Sequence, residues 1–388
     1  MFGEKKKDMK LIRTITTFFI LLLCLTKGCK FFQKEICRED LSRIDYVVEE
    51  EIKKGNFPGA VVLVGQRNKV LYCKAFGYEV TEPYEEVMNN GTIFDLASLT
   101  KPIATATSIM VLADKRKIKL SDYVSRYLPA FARQGKEQVR IIHLLTHTSG
   151  LPAYTNADEL KEQFTSPYPD KVIEKICSLK ALSKPGDKFR YSCLGYIILA
   201  EIVKAVSGKS IDNFSREHIF SPLGMKHTFY NPPDCWEKDI AATEIVRQQP
   251  LRGTVHDPLA RLMGGVTGNA GLFSTANDLT IYCRMLLNGG KWKGRRILSP
   301  EAVTMLTTAQ SHGRACGFDV NSSYSWVKGS YAPEEAFCHT GYTGTSIVCD
   351  PSKKVYVIIL TNRSHPHDKG TTRPIRKKIA DIVFQAYR

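Results

Sequence analysis

The sequence contains no Cys-x-x-Cys spacing, no internal repeat and no histidine pattern typical of a metal site. His143 and His147 are four residues apart, a spacing that could hold zinc, but no carboxylate lies between them and no third ligand is near. A packing or capping role is therefore favoured for both. The 11 cysteines are an odd number, and without ligand spacing they indicate core thiols or occasional disulfides whose pairing stays open.

A membrane-spanning hydrophobic run is also missing near the N-terminus. The apolar stretch over residues 15–25 has about eleven residues, short of the roughly 20 that cross a bilayer. Thr26 and Gly28 are small enough for cleavage before Cys29, and Cys29 itself could carry a lipid. The basic side chains before the stretch, which are typical of an export signal, are Lys5, Lys6, Lys7, Lys10 and Arg13.

Residues 1–28 are thus predicted to be an export signal or membrane anchor. Ordinary cleavage, lipidation of Cys29 as in a lipoprotein, and an uncleaved anchor are open alternatives. We expect the protein in the cell envelope or periplasm, attached to the inner or outer membrane if the anchor or lipid is kept.

The formal net charge is +16 over 388 residues. Residues 1–28 carry six basic and two acidic side chains, so about +12 remains on the rest. These charges are scattered and indicate solvated faces, attracted to anionic lipid or wall polymer. Nucleic acid is not expected as a partner of an exported chain.

Both ends of the chain predict strands beside a helix. Apolar residues recur at helical spacing over 40–54 and stop at Gly55, and the runs 60–66 and 69–78 flank a hairpin turn. Near the C-terminus, three strand-like runs, 336–342, 345–350 and 355–361, precede a helix over 373–387. The intervening helical segments are 140–147, 171–179, 194–206, 211–219, 276–287 and 300–307.

We therefore predict an α+β fold in which one antiparallel sheet of five or more strands is flanked by the N- and C-terminal helices. The sheet domain is predicted over 29–97 and 331–388, and a mostly helical domain is inserted over 98–330. The glycine-rich loop 255–273 is either an active-site wall that a ligand approaches closely or a tight turn.

The stretch Ser98-Leu99-Thr100-Lys101-Pro102 places a hydroxyl and an amine three residues apart at a helix start. Pro102 fits only in the first turn of that helix, where few backbone donors have helical partners. Residues three apart on a helix are neighbours, which predicts Ser98 as a nucleophile within reach of Lys101. The alternative is a helix cap followed by a surface lysine.

Two later triplets, Tyr191-Ser192-Cys193 and His339-Thr340-Gly341, complete an ordered set with Ser98-Leu99-Thr100-Lys101. This set resembles the serine β-lactamase and penicillin-binding-protein superfamily, whose signature is Ser-x-x-Lys, Tyr-x-Asn and Lys-Thr-Gly. The stretches around it are similar to the class C β-lactamase and DD-peptidase branch: 143–152, 189–196, 265–274 and 360–363. The resemblance extends from about residue 40 to the end.

The resemblance implies a serine hydrolase without metal or organic cofactor. It is closest to low-molecular-mass D-alanyl-D-alanine carboxypeptidases, which implies peptidoglycan stem peptides as substrates and β-lactams as covalent inhibitors. An esterase or weak β-lactamase of the same fold is one alternative. A catalytically idle wall-binding or drug-binding protein is another.

The resemblance also assigns roles. Ser98 is acylated, Lys101 and Tyr191 share the proton abstraction, and the backbone N–H groups of Ser98 and Tyr342 form the oxyanion hole. Cys193, His339, Thr340 and Gly341 correspond to substrate-binding positions, where His339 and Thr340 receive the substrate carboxylate.

Two positions depart from the signature. Cys193 stands where the family has Asn. A thiol is a weaker donor than an amide, so recognition of β-lactams is in doubt. The alternative functional role for Cys193 is that of a catalytic thiol. His339 stands where the family has Lys. We expect its imidazole to be partly charged near neutral pH, so that carboxylate anchoring weakens as pH rises.

Cys338 and Cys349 lie on the two predicted strands 336–342 and 345–350. If Thr343-Gly344 is a two-residue turn, the two cysteines are directly opposite and could be bridged.

Overall fold

The centre of the fold is a six-stranded antiparallel sheet. The structure is a computed structural model that describes residues 38–163 and 167–387. The strands are β1 (Gly59–Gln66), β2 (Lys69–Val80), β3 (Glu86–Val87), β4 (Phe94–Asp95), β5 (Phe229–Tyr230), β6 (Ile245–Val246), β7 (Gln249–Pro250), β8 (Leu272–Ser274), β9 (Lys291–Trp292), β10 (Arg295–Arg296), β11 (Phe337–Thr340), β12 (Ser346–Asp350) and β13 (Val355–Thr361). The large sheet has the order β11–β12–β13–β1–β2–β3, so the last strands of the chain pair with the first.

The hairpin of β1 and β2 turns at Arg67 and Asn68, as predicted, with Gln66 opposite Lys69. Arg67 has a φ of 53°, in the left-handed region that tight two-residue turns require. On its other edge β1 pairs with β13, from Ala60 opposite Thr361 onward. This pairing joins the two ends of the chain in one sheet.

Helices cover both faces of the sheet. They are α1 (Arg38–Leu41), α2 (Arg43–Lys53), α3 (Thr107–Asp114), α4 (Ile141–Leu145), α5 (Ala157–Gln163), α6 (Pro169–Ser178), α7 (Cys193–Ser207), α8 (Ile211–Ser215), α9 (Ser221–Leu223), α10 (Pro258–Leu262), α11 (Ala276–Leu287), α12 (Pro300–Thr307) and α13 (Arg373–Gln385). Shorter 3-10 turns are Ala97–Leu99, Val124–Arg126, Pro129–Phe131, Asp234–Asp239 and Ser325–Lys328, and π-helical turns are Lys101–Ala106 and Arg216–Phe220. Each predicted helical segment contains a helix.

All eight residues of β1 are buried because both faces of the sheet are covered. Val62 faces one apolar core with Val48 of α2 and Ile379 of α13. Val61 faces a second, larger core that includes Ile109 of α3. The predicted α+β class, the antiparallel sheet and its flanking terminal helices are confirmed, whereas the domain boundaries stay a prediction.

A small sheet of β4, β8 and β5 fixes the segment before Ser98. Phe94 pairs with Ser274, and the N–H of Leu96 donates to the carbonyl of Leu272 at 2.9 Å. The end of the glycine-rich loop therefore lies against the entry to the Ser98 helix.

The register of β11 and β12 differs from the prediction by one residue. Cys338 pairs with Val348, and Cys349 pairs with Phe337, because the connection is longer than the two-residue turn assumed. Successive side chains of a strand point to opposite faces, so Cys338 and Cys349 lie in different apolar cores. Both are free thiols, and the predicted bridge is wrong.

No helix in the described ranges 38–163 and 167–387 is long and apolar enough to cross a membrane. The predicted export segment 1–28 and Cys29 lie outside the described residues, so these predictions stay untested.

Candidate functional site

Ser98 lies at a sharp turn between β4 and a buried helical segment. The Asp95 carboxylate accepts hydrogen bonds from the N–H of Ala97 at 2.8 Å and of His256 at 2.7 Å. Ala97 has a φ of 46°, an uncommon conformation for a residue with a Cβ atom. Pro102 lies in the first turn after Ser98, as predicted.

Lys101 contacts Ser98 directly. Its Nζ donates to Ser98 Oγ at 2.8 Å and to the carbonyl of Asn269 at 3.0 Å, and its side chain has no exposed surface. Lys101 is therefore a buried amine beside a hydroxyl, which excludes the alternative of a surface lysine after a cap.

The glycine-rich loop is a wall of this site. The backbone of Gly268 approaches helix α7 so closely that a Cβ there would lie 1.9 Å from the carbonyl oxygen of Tyr196. Gly268 also accepts a hydrogen bond from Thr105 at 2.8 Å. These contacts place Asn269 next to Lys101.

Tyr191 and Cys193 join Ser98 and Lys101 from the start of helix α7. Tyr191 and Ser98 line the same cavity, and Lys101 Nζ lies 5.1 Å from the centre of the Tyr191 ring. Cys193 lines this cavity beside Ser98 and Tyr191, and its thiol interacts electrostatically with Lys101. Two of the predicted motifs and the glycine-rich loop, which are far apart in sequence, thus meet beside the Ser98 hydroxyl.

Burial and the neighbouring groups together determine the protonation of Lys101 and Tyr191. Burial lowers the pKa of Lys101, but the neighbouring Cys193, Tyr191 and Asp257 outweigh it and the net pKa is raised. Burial raises the pKa of Tyr191, against the opposing effect of Lys101. Near neutral pH both groups keep their protons, so the pair must lose one proton before it can accept another from Ser98.

His147 holds the backbone on both sides of Tyr191. Its carbonyl accepts from the N–H of Arg190 at 2.8 Å, and its Nδ1 accepts from the N–H of Ser192 at 3.1 Å. Its ring lies 4.3 Å from the Tyr191 ring, centre to centre. Burial, followed by Arg314, lowers the pKa of His147 well below its usual value, so the ring is neutral and can accept at Nδ1.

The other face of Tyr191 is covered as well. The ring of Tyr324 stacks on it at 5.3 Å, and the guanidinium of Arg314 lies 5.8 Å from its centre. Arg314 is fully buried and pairs with Asp319 at 2.6 Å. Tyr191 is therefore held by packing as well as by hydrogen bonds.

The loop between β11 and β12 is bound to the Ser98 turn. The hydroxyls of Thr343 and Thr345 donate to the carbonyls of Asp95 and Leu96 at 2.7 and 2.9 Å. A Cβ at Gly341 would lie 2.4 Å from the Leu96 carbonyl oxygen, so only glycine permits this approach. The loop brings Tyr342 to the edge of the same cleft as Ser98.

Two cavities of opposite charge meet at Ser98, Tyr191 and Tyr342. The acidic cavity, about 490 Å³, is also lined by Tyr154, Cys193, Glu244, His256, Asp257 and Asp368. The arginine cavity, about 380 Å³, is also lined by His339, Thr340, Gly341, Arg363, Arg373, Arg376 and Asp319, whose charge is balanced by Arg314 at 2.6 Å. All predicted substrate-binding residues therefore line one cavity or the other.

A family model for β-lactamases matches residues 44–381, which is most of the chain. The chain belongs to the β-lactamase family. Its predicted membership of the serine β-lactamase and penicillin-binding-protein superfamily is confirmed.

Relatives of this β-lactamase-family chain carry several names. It is 34% identical over 359 residues to the N-acetylmuramyl-L-alanine amidase of Bacillus subtilis strain 168, covering 84% of this chain and 81% of that one. It is 32% identical over 362 residues to an Escherichia coli K12 protein provisionally named D-alanyl-D-alanine carboxypeptidase, covering 84% and 83%.

Solved structures support the fold. EstCE1, a hydrolase with promiscuous acyltransferase activity, matches with a TM-score of 0.73 at 24% identity, over 89% of this chain and 99% of that one. A penicillin-binding-protein homologue from Caulobacter crescentus matches with a TM-score of 0.71 at 21% identity, over 91% and 99%.

His339 does not supply the charge expected of it. It is 2% exposed, and burial, followed by Arg314 and Lys101, lowers its pKa well below the usual value. The ring is neutral across the neutral range, and its Nδ1 lies 2.9 Å from the carbonyl of Thr340. The predicted weakening of carboxylate anchoring through His339 titration is therefore wrong.

Arginines outside the predicted motifs supply the positive charge of this cavity instead. Arg376 is 8% exposed, its Nη2 donates to the carbonyls of Gly341 and Thr345 at 2.9 Å each, and its buried Nε has no partner among the described residues. Burial, followed by Arg363, lowers the pKa of Arg376 to about 9, which leaves a cation at neutral pH. The Arg-x-x-Arg spacing at the start of α13 is the sequence signal that could have found Arg373 and Arg376.

The remaining predictions for the thiol of Cys193 and for the histidine pair have clear outcomes. Burial raises the pKa of Cys193, so its thiol stays protonated, unlike a reactive cysteine. His143 accepts at Nδ1 from the N–H of Arg140 at 3.1 Å, and both histidines of the pair have the predicted capping or packing roles. Within 38–163 and 167–387, no group of three or more His, Cys, Asp or Glu side chains is arranged to hold a metal.

The raised pKa values of Lys101 and Tyr191 predict an alkaline activity limb. The rate of hydrolysis of an uncharged p-nitrophenyl ester should rise from about pH 6 to about pH 9, by up to about tenfold per pH unit. The reason is that the fraction of protein in which the Lys101–Tyr191 pair has lost a proton increases with pH. His339→Gln should keep the same slope. Stopped-flow measurement of the acylation rate at each pH checks this prediction. An acylation rate that stops rising below neutral pH would contradict it.

His147→Ala should lower kcat by about ten- to a hundredfold with little change in ester KM, because the N–H of Ser192 loses its acceptor and the Tyr191 ring loses the imidazole packed on it. His147→Asn should recover part of the rate, since Asn offers an acceptor and tolerates the φ of 57°. His143→Ala, which removes only a helix-cap contact, is the control and should affect Tm rather than kcat. Equal kcat losses in all three variants would reject the positioning role.

Proposed function

We propose that the chain is an envelope serine hydrolase that forms an acyl-enzyme on Ser98. It acts as a penicillin-binding D-alanyl-D-alanine carboxypeptidase on peptides of peptidoglycan. The observation that carries this proposal is the arginine cavity beside Ser98, because a carboxypeptidase must hold a free terminal carboxylate next to its nucleophile.

Acylation follows from the contacts around Ser98. Ser98 Oγ attacks the scissile carbonyl carbon, and its proton passes to the deprotonated Lys101–Tyr191 pair, with Lys101 2.8 Å from Ser98. The oxyanion lies towards the backbone N–H groups of Ser98 and Tyr342. When the C–N bond breaks, the leaving amine takes the proton back from the pair.

Deacylation regenerates the serine. Water attacks the acyl ester, gives its proton to the Lys101–Tyr191 pair, and releases the shortened peptide while Ser98 recovers a proton. During the earlier acylation step, the carboxylate of the leaving D-alanine lies in the arginine cavity. There Thr340 offers a hydroxyl, and Arg376 has an unpartnered Nε.

The charge balance of the arginine cavity supports a carboxylate ligand. Arg363 is paired with Asp368 at 2.8 Å, but no carboxylate of the described residues lies within 4 Å of Arg373 or Arg376. A buried guanidinium without an acidic partner is costly, and a substrate carboxylate would compensate it.

An esterase is the second candidate. Cys193 favours it, because a thiol cannot offer the donors and acceptor with which an amide side chain would hold a substrate amide. A weak β-lactamase and an idle wall-binding or drug-binding protein are the remaining alternatives.

Intact-mass spectrometry after exposure to a penicillin discriminates among these functions. A persistent adduct that maps to Ser98 and is absent in Ser98→Ala is the expected result. Rapid turnover identifies a β-lactamase, and ester hydrolysis without an adduct identifies an esterase. If no acyl donor reacts, the hydrolase proposal is rejected.

Arg376→Gln tests the carboxylate site. It should lower kcat/KM on a peptide ending in D-Ala-D-Ala by about ten- to a hundredfold, because a charged hydrogen bond of about 1.5–3 kcal/mol is lost. The same peptide with a C-terminal amide should be cleaved slowly by both proteins, with a ratio near one. Lys377→Gln, an exposed neighbour outside the cavity, is the matched control. An equal loss on both peptides would indicate damage to the loop rather than lost carboxylate binding.

A further inference from the structure

A third cavity, of about 720 Å³, shares no lining residue with either cavity at Ser98. One wall comes from the segment that leads into α4 and includes Tyr123 and Arg140. Another wall comes from the segment 181–187, which follows α6. The volume lies within the range of ligand sites, about 300–1,000 Å³. We call this space the tyrosine cavity.

Tyr123 presents an aromatic ring to the tyrosine cavity, and 41% of this residue is exposed. The guanidinium of Arg140 lies 4.2 Å from the ring centre, and its Nη2 donates to the Tyr123 hydroxyl at 2.9 Å. Arg140 also donates to the carbonyl of Ser121, which holds the guanidinium in place. One face of the ring is therefore covered, and the exposed surface is a fixed platform on which an apolar ligand face can stack.

Backbone hydrogen bonds hold the walls of the tyrosine cavity together. The N–H of Ala181 donates to the carbonyl of Gln134 at 3.0 Å, which ties the second wall to the first. The N–H of Leu182 donates to the carbonyl of Gly150 at 2.8 Å. A site with fixed walls loses less conformational freedom when a ligand binds, so weak individual contacts suffice for binding.

The charges that line the tyrosine cavity cancel. Arg140 and Lys184 are basic, and Glu137 and Asp187 are acidic. Burial, followed by Arg140, lowers the pKa of His143, so this imidazole adds no charge near neutral pH. A strongly charged ligand of either sign therefore gains little net attraction from the lining. An uncharged polar ligand finds both hydrogen-bond donors and acceptors.

A buried hydroxyl in the lining lacks a partner. Ser183 Oγ is buried and makes no hydrogen bond within the described ranges. Its neighbour Leu182 also lines the cavity and is 55% exposed. The cavity thus combines an unsatisfied hydroxyl with two exposed apolar surfaces, those of Leu182 and Tyr123. A ligand that carries both hydroxyl groups and apolar C–H surface would satisfy this combination.

We propose that the tyrosine cavity binds an oligosaccharide of N-acetylated amino sugars. A pyranose ring has an apolar C–H face that stacks on Tyr123, and its hydroxyls are partners for Ser183 and Asp187. The acetamido group adds one donor, one acceptor and a methyl group, which matches the exposed side chain of Leu182. The inference does not depend on the proposed function, because this binding needs no chemistry at Ser98.

Isothermal titration calorimetry of the full chain with chitotetraose, the tetramer of N-acetylglucosamine, tests the site. We expect saturable binding to one site. Maltotetraose has no acetamido groups and should bind about three- to tenfold more weakly, because hydrogen bonds are lost. Tyr123→Ala should weaken chitotetraose binding by about tenfold or more, and Tyr123→Phe, which keeps the ring, by less than about threefold.

Tyr46→Ala is the matched control, because Tyr46 is 69% exposed on α2, outside the tyrosine cavity, and its loss should leave the Kd unchanged. Asp187→Ala, at an exposed position of the lining, should weaken binding by about three- to tenfold. Raising NaCl from about 0.05 M to about 0.5 M should change the Kd by less than about twofold, because the ligand is uncharged. No saturable binding up to about 10 mM, or equal binding by wild type and Tyr123→Ala, would overturn the proposal.

An ester assay shows whether the sugar binds away from Ser98. Saturating chitotetraose should leave the KM for a p-nitrophenyl ester unchanged, and Ser98→Ala should bind chitotetraose with the wild-type Kd. A competitive rise in KM would place the sugar in the cleft at Ser98 and overturn the proposal. If no acyl donor is hydrolysed but chitotetraose binding depends on Tyr123, the proposed function fails and this inference holds.

Co-sedimentation of Ser98→Ala with insoluble peptidoglycan distinguishes two sources of the sugar. Retention that is lost when Tyr123→Ala is added identifies a glycan strand as the ligand. Binding of chitotetraose without such retention identifies a free oligosaccharide. Both results support a saccharide site in the tyrosine cavity.

Discussion

The buried amine of Lys101 is the interaction on which the rest of the site depends. Removing an ammonium group from water costs several kcal/mol unless hydrogen bonds replace its hydration. Here the replacements come from Ser98 and from the carbonyl of Asn269, at 2.8 and 3.0 Å. The segment that carries Ser98 and the glycine-rich loop must therefore meet for the fold to tolerate Lys101. The same contacts place the amine beside the proposed nucleophile, so stability and the proposed chemistry use one arrangement.

The cleft around this amine has one half lined by carboxylates and one half lined by arginines. Arg376 and Asp257 lie in cavities that share Ser98, and neither has an ion-pair partner among the described residues. The carboxypeptidase proposal depends on the positive half, where a substrate carboxylate would balance the charge of Arg376.

Family membership explains the residues of the site that match the family signature. The two residues that differ from it, His339 and Cys193, are explained by their burial. At the position of the family lysine, His339 is too buried to be charged, and the cationic role passes to arginines of α13. Cys193 keeps its proton because it is buried, so it acts as a small neutral group within the cleft.

The sequence by itself determined the elements and the reactive motif, because both follow from local spacing. The hairpin at Arg67 and the contact of Ser98 with Lys101 depend on residues within one turn or one strand pair. Only the tertiary structure decided the register of Cys338, the neutrality of His339 and the exposure of Asp257 to the cleft. Register follows from a loop length that local signals leave open by one residue. Burial and charge pairing arise from chain segments far apart in sequence, and no local pattern encodes which of them meet.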